Sequence, residues 1–187
     1  TGKIKVMVSK PDFDPNQISS VIEETANSDS SCLLNRATQG MYPPGSTFKI
    51  LTTLEYIREN PNYKSYSYEC EGEGIFNSVS IHCYNHKVHG TVDLEQSLAY
   101  SCNTSFSNIG TKLDMDALNK LCEDFLYNKE LPYDGYYYKS SYSLTSKTDK
   151  SLIPQTVIGQ GKTLITPLHN AMIMCTIANG GVLMKPY

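Results

Sequence analysis

In KIKVMVS, Ile4, Val6 and Val8 alternate with Lys3, Lys5 and Met7, the two-residue period of a half-buried strand. The breakers of KPDFDPN end it, and a polar segment follows through Ser31, expected as helix or loop. The apolar spacing then changes. From 46 to 60 the chain carries Ile50, Leu51, Leu54 and Ile57 on one helical face and stops before Pro61, which predicts a helix.

Residues 61–90 are rich in Tyr, Gly and polar groups and read as loop or short hairpin. GTVDLEQSLAYS restarts a helix, with Asp93 as N-cap and Gln96 closing a capping box. Two further helices are expected at 104–113 and around Leu118, Leu121, Cys122 and Phe125. The tyrosine-rich stretch 127–152 is short of aliphatic residues and reads as a surface insertion with a hairpin. In ITPLHNAMIMCTIANGG, Thr166 is placed to cap, Pro167 to occupy the first helical position and Gly180 to follow the end. That helix is apolar nearly all round, so it is expected to be buried on every side.

With 187 residues, 40% of them hydrophobic, the chain is long enough for a sizeable core. A formal charge of −3 leaves no broad basic face, which argues against nucleic acid as a partner. No apolar run reaches the roughly 18 residues needed to span a bilayer, the best being 171–178. The N-terminus lacks a secretory pattern, so any targeting segment is expected upstream. Of six cysteines, Cys70 and Cys83 bracket the loop CEGEGIFNSVSIHC and suit a local disulfide; Cys32, Cys102, Cys122 and Cys175 read as small buried thiols or their neighbours.

The chemistry concentrates in YPPGSTFKIL. A helix brings positions i and i+3 onto one face, so the amine of Lys49 reaches the hydroxyl of Ser46. A serine needs its proton removed before it attacks, and a lysine removes it only if burial or nearby positive potential disfavours the ammonium. The positive end of the helix favours the neutral amine and an oxyanion at the serine alike. Ser-x-x-Lys alone is weak, since a serine at a helix start most often only caps. A second element strengthens it: Ser101, Cys102 and Asn103 follow a short capped helix. There Ser101 is placed to relay a proton, and Asn103 to bond Lys49 and a substrate amide, although Ser and Asn also suit a plain cap.

NRATQGMYPPGSTFK, HGTVDLEQSLAYSCNTSF and IGQGKTLITPLHNAMIMCTIANGG, with SKPDFDPN upstream, together resemble the transpeptidase domain of penicillin-binding proteins of the high-molecular-weight, monofunctional class B type. The likeness runs almost end to end and keeps the order and approximate spacing of four stretches. It implies an α+β fold, a helix cluster on an antiparallel sheet, with Ser46 acylated, Lys49 as its base, and Ser101 and Asn103 as the second motif. The implied reaction cross-links peptidoglycan stem peptides ending in D-Ala-D-Ala, and β-lactams would acylate Ser46. No metal or organic cofactor is implied, and the location implied is the extracytoplasmic face of a bacterial membrane.

The third motif of that family, Lys-Thr-Gly or Lys-Ser-Gly on a strand, does not occur. KTD at 147–149 puts an acid where glycine is needed, and GKT at 161–163 has the wrong order and no phosphate-loop glycine at Thr156. Residues 1–187 are therefore expected to be a partial domain with an incomplete sheet, slow to acylate alone. The alternatives are a serine β-lactamase of the same fold, told apart by fast hydrolysis of its acyl-enzyme, and a β-lactam sensor domain, told apart by a multi-span membrane segment upstream. A zinc site of His82, Cys83, His86 and His89 in HCYNHKVH is set aside, because Cys83 has Cys70 as a disulfide partner.

Overall fold

The computed structural model describes residues 1–26 and 31–187; residues 27–30 of the expected polar segment lie outside the described residues. In chain order its helices are α1 (Ile18–Ala26), α2 (Arg36–Gln39), α3 (Lys49–Glu59), α4 (Leu94–Ala99), α5 (Asn103–Gly110), α6 (Met115–Asp124), α7 (Ile153–Thr156) and α8 (Pro167–Ala178). The strands are β1 (Tyr68–Cys70), β2 (Glu73–Phe76), β3 (Val79–His82) and β4 (Gly90–Val92). They divide between two compact units: 1–42 with 130–140 and 165–187, and 43–129 with 141–164.

In the first unit, α8 starts as its sequence predicts. Thr166 Oγ1 accepts from the His169 N–H at 3.2 Å, Pro167 follows, and Gly180 takes a φ of 66° beyond the end. Its burial is one-sided, a correction to the expectation of an all-round core helix. Leu168, His169, Met172, Ile173 and Thr176 are buried, whereas Ala171, Cys175 and Ile177 are exposed. An apolar surface is buried only where another element covers it, and the described neighbours cover one face. The expected strand at 3–9 forms no ladder; near its start the backbone bonds are Ile4 N–H to Tyr187 O and Tyr187 N–H to Gly2 O, and at its end Ser9 Oγ donates to the Leu34 carbonyl and accepts from the Arg36 N–H. Without a partner strand the alternation has no buried side, and Val6 stays 78% exposed.

The second unit is built on α3, which packs against α5 and α6. Its buried face runs through Phe48, Lys49, Leu51, Thr52 and Glu55, with Ile50, Leu54 and Ile57 only half-buried. The apolar stripe therefore sits beside the true inward face, where polar Lys49, Thr52 and Glu55 are buried with partners, Asn103 of α5 for Lys49. Thr52 Oγ1 donates to the Val157 carbonyl at 2.8 Å, and Arg58 reaches Glu55 at 3.1 Å.

Residues 61–90 resolve into two antiparallel ribbons, β1 with β4 and β2 with β3. Asn77 and Ser78 turn β2 into β3 with φ of 47° and 66°, the two positive angles that a tight hairpin matched to strand twist requires. Among the described residues the antiparallel ladders are these two ribbons, and single antiparallel bridges join Tyr42 to Ile165 and Ser141 to Leu164. The capping box on α4 forms as expected: Asp93 Oδ1 accepts from Gln96 N–H at 2.7 Å, and Gln96 Oε1 from Asp93 N–H at 3.0 Å.

The tyrosine-rich stretch lies only partly at the surface and has no hairpin ladder: Tyr136 and Tyr138 are exposed as expected, but other tyrosines reach the core. Tyr127 and Tyr142 are buried and pack on Phe48, at ring-centroid distances of 6.1 and 5.6 Å. Aromatic rings supply core area where aliphatic residues are scarce. They thereby wedge the residue two places after Ser46.

Candidate active site

Ser46 lies in a 3-10 turn, Gly45–Phe48, that runs straight into α3. Gly45 enters with φ of 58°, a left-handed conformation that glycine adopts without penalty. Its N–H donates to the Gly159 carbonyl at 2.8 Å. Gly159, at φ 78°, lies so close that a Cβ there would meet the Gly45 carbonyl oxygen at 1.9 Å. Two bare backbones thus set the turn that presents the Ser46 side chain to solvent, while Lys49 is fully buried beneath it.

The α4–α5 junction delivers the second motif. Ser101 has φ of 53°, uncommon for a residue with a side chain, and it ends α4 with its N–H on the Leu98 carbonyl at 3.0 Å. Cys102 is the N-cap residue of α5 and Asn103 its first residue. Lys49 Nζ stands 2.9 Å from Ser101 Oγ, 2.8 Å from the Ser101 carbonyl, 2.6 Å from Asn103 Oδ1 and 3.3 Å from Ser46 Oγ. Ser101 Oγ donates to Ser46 Oγ at 2.7 Å. Hydroxyl, hydroxyl and amine therefore form one closed triangle.

Proton counting constrains it. An ammonium has three protons for these four acceptors, and the longest contact is to Ser46. A neutral Nζ accepts a hydroxyl proton through its lone pair, and with the Ser101 Oγ proton directed to Ser46 Oγ, the hydroxyl left to donate is that of Ser46. Burial pulls the Lys49 pKa down to about 8, against the opposing pull of the Cys102 and Cys83 thiols. The Asn103 side chain is oriented by chemistry: an ammonium only donates, so Oδ1 faces Lys49, and Nδ2 donates to the His82 carbonyl at 3.0 Å. The oxygen of that amide takes the Lys49 bond the sequence leads one to expect, and one of its two N–H protons is tied to β3.

Ser46, Lys49, Ser101 and Asn103 are thus brought together. Sequence reasoning missed Gly159, whose only signal was a glycine in IGQG, and the backbone carbonyl of His82, for which a sequence carries no signal.

A family model described as the penicillin binding protein transpeptidase domain matches residues 1–187. The chain belongs to the penicillin-binding protein transpeptidase family. It is 32% identical to the peptidoglycan D,D-transpeptidase PbpA of Mycolicibacterium smegmatis, covering 100% of this chain and 40% of that protein. Stage V sporulation protein D of Bacillus subtilis is 28% identical, with 100% of this chain and 28% of that protein covered. Among solved structures, the imipenem acyl-enzyme complex of penicillin-binding protein A from M. tuberculosis superposes with a TM-score of 0.91 at 30% identity, over 100% of this chain and 46% of that one. The α+β fold of penicillin-binding transpeptidase domains is therefore the fold of this chain. No described helix is long and apolar enough to cross a membrane.

The Cys70–Cys83 disulfide expected from the loop length is not present: both thiols are free, with Sγ atoms 3.8 Å apart. Cys83 has a second sulfur neighbour at the same 3.8 Å, Cys102, so the pair belongs to a larger group. In this penicillin-binding domain that group borders the second motif. His82 and His86 stand outside it, their rings stacked at 4.7 Å, with His86 3.4 Å from Glu73.

Proposed function

We propose that this chain carries the acylation machinery of a peptidoglycan D,D-transpeptidase, as part of a penicillin-binding domain spanning residues 1–187. The observation that carries the reading is the single amine of Lys49 within hydrogen-bonding distance of Ser46, Ser101 and Asn103 together.

In the first step Lys49, as the free amine, takes the Ser46 hydroxyl proton while Oγ bonds to the carbonyl carbon of the penultimate D-Ala. The peptide C–N bond then breaks. Lys49 returns the proton through Ser101, whose Oγ lies 2.9 Å from Nζ, to the nitrogen of the departing D-Ala. In the second step an amine from a neighbouring strand attacks the ester and Ser46 regains its proton. Asn103 holds Lys49 in line, and its remaining N–H is free to meet a substrate carbonyl. A β-lactam enters at the first step, its ring amide replacing the D-Ala-D-Ala bond, and the acyl group stays on Ser46. Such a substrate places the site on the extracytoplasmic face of a bacterial membrane.

The test is to incubate the full-length gene product with a fluorescent penicillin and locate the adduct by peptide mass spectrometry. Label on Ser46, lost in Ser46→Ala, supports the reading; label on another residue, or none, refutes it.

A further inference from the structure

Beside the second motif, Cys70, Cys83, His89 and Cys102 direct one ligand atom each into a common space, all within 4.8 Å of one another. The three cysteines have no solvent exposure, and His89 is half-buried. The donors come from the end of β1, the segment after β3, the approach to β4 and the N-cap of α5, so only the tertiary fold unites them.

We propose that Cys70, Cys83, His89 and Cys102 bind a structural zinc ion that fixes the α4–α5 junction. Tetrahedral zinc with bonds of about 2.3 Å to sulfur and 2.0–2.1 Å to nitrogen sets neighbouring sulfurs about 3.8 Å apart and sulfur to nitrogen about 3.6 Å. The distances are 3.8 Å for Cys70 to Cys83, 3.8 Å for Cys83 to Cys102 and 3.3 Å for Cys70 Sγ to His89 Nδ1. Buried cysteines that merely fill a core need no imidazole nitrogen among them. Three soft sulfurs and one imidazole select zinc over the hard, oxygen-seeking cations. With four protein ligands no position is left for water or substrate, so the role is structural.

The surroundings suit that role. Thr104 Oγ1 lies 3.3 Å from Cys70 Sγ, 3.4 Å from Cys102 Sγ and 3.7 Å from Cys83 Sγ, placed to orient the sulfurs from the first turn of α5. His89 stacks on Tyr100 at 5.7 Å and 15°, which fixes its ring plane. On binding, each thiol loses its proton to solvent and the ion replaces it.

The consequence follows from chain position. Cys102 sits between Ser101 and Asn103, so anchoring its sulfur to β1 and the β3–β4 segment anchors both motif residues on Lys49. This functional part rests on the transpeptidase reading, whereas metal binding does not.

The full-length gene product, purified without chelator and incubated with Zn2+, is expected to retain about one zinc per chain. Loaded with Co2+, it is expected to show sulfur-to-cobalt charge transfer and the intense visible bands of tetrahedral cobalt. Cys70→Ser and His89→Ala should each lose the ion, and Thr104→Val should bind it roughly 10- to 100-fold more weakly. Cys175→Ser, an exposed thiol elsewhere, should retain it. The half-buried His89 is the variant least exposed to misfolding; should Cys70→Ser not fold, His89→Ala and the cobalt spectrum decide. Chelation should slow penicillin acylation of Ser46 by roughly tenfold or more, with recovery on zinc addition. No retained metal with all four groups intact, octahedral cobalt, or a Cys70–Cys83 disulfide in the active protein overturns the proposal. Zinc bound with no label on Ser46 would sink the transpeptidase reading and leave this one standing.

Discussion

Gly45 and Gly159 meet backbone to backbone, the N–H of one on the carbonyl of the other at 2.8 Å, and this contact sets the turn from which Ser46 projects. Gly159→Ala forces a Cβ into a space 1.9 Å from the Gly45 oxygen at a φ of 78°. We expect a loss of roughly 1–3 kcal/mol in stability by denaturant unfolding and a disproportionate fall in acylation. Gly161→Ala is the control. It has nearly the same φ, 76°, but its nearest contact is Thr156 Oγ1 at 3.3 Å, so it should cost less and spare acylation. Equal costs would show that the angle, and not the contact, matters.

Burial depresses Lys49 to about 8, and in the proposed mechanism the neutral amine is the working form. The sign follows: as pH rises through about 8 the amine loses its proton, so acylation should climb and then level. The groups facing Nζ from α4, α5 and the ribbons are Ser101, Asn103, and the Cys83 and Cys102 thiols, the latter two opposing the depression. Lys49→Arg cannot supply a neutral base and should lose roughly 100-fold or more in acylation. A flat rate between pH 6 and 9 would exclude Lys49 as the base.

Asn103→Asp puts a carboxylate where Oδ1 now accepts from Lys49 at 2.6 Å. The opposite charge stabilises the ammonium, so the rising limb of the pH profile should move to higher pH. The same substitution removes the bond to the His82 carbonyl, which should lower the plateau as well. An unmoved limb would mean that Lys49 does not titrate in this rate.

Among the described residues, the Tyr142 hydroxyl is buried with no hydrogen-bond partner, while its ring stacks on Phe48. Tyr142→Phe keeps the ring and removes the orphaned group, so it should leave stability unchanged or raise it by about 1 kcal/mol. Tyr142→Ala should cost about 3–5 kcal/mol through the cavity beside Phe48. A loss on Tyr142→Phe above that scale would reveal a partner for the hydroxyl.

Local chemistry was legible in the chain. Caps at Asp93 and Thr166, the helical spacing of Ser46 and Lys49, and the helix around Leu118 and Leu121 depend on side chains a few residues apart, and all of them form. The pairing of Ser101 and Asn103 with Lys49 spans more than fifty residues, and ordered family-like stretches made it readable, not periodicity. Burial was read less well. Tyr127 and Tyr142 looked solvated because their neighbours are polar, and α8 looked buried because its own residues are apolar. Exposure is a property of what packs against a residue.

Short-range hydrogen bonding and spacing along the helix were therefore decided by residue order alone: Ser46 exposed on its turn, the Lys49 amine one turn on, the capped helix leading to Ser101. Only the folded chain decided that Cys70 joins Cys83, His89 and Cys102 instead of a lone disulfide partner, and that Gly159 rests on Gly45. The reason is physical. A bond between near neighbours is constrained by backbone geometry already written in the chain, whereas a convergence of distant residues depends on how every intervening element packs.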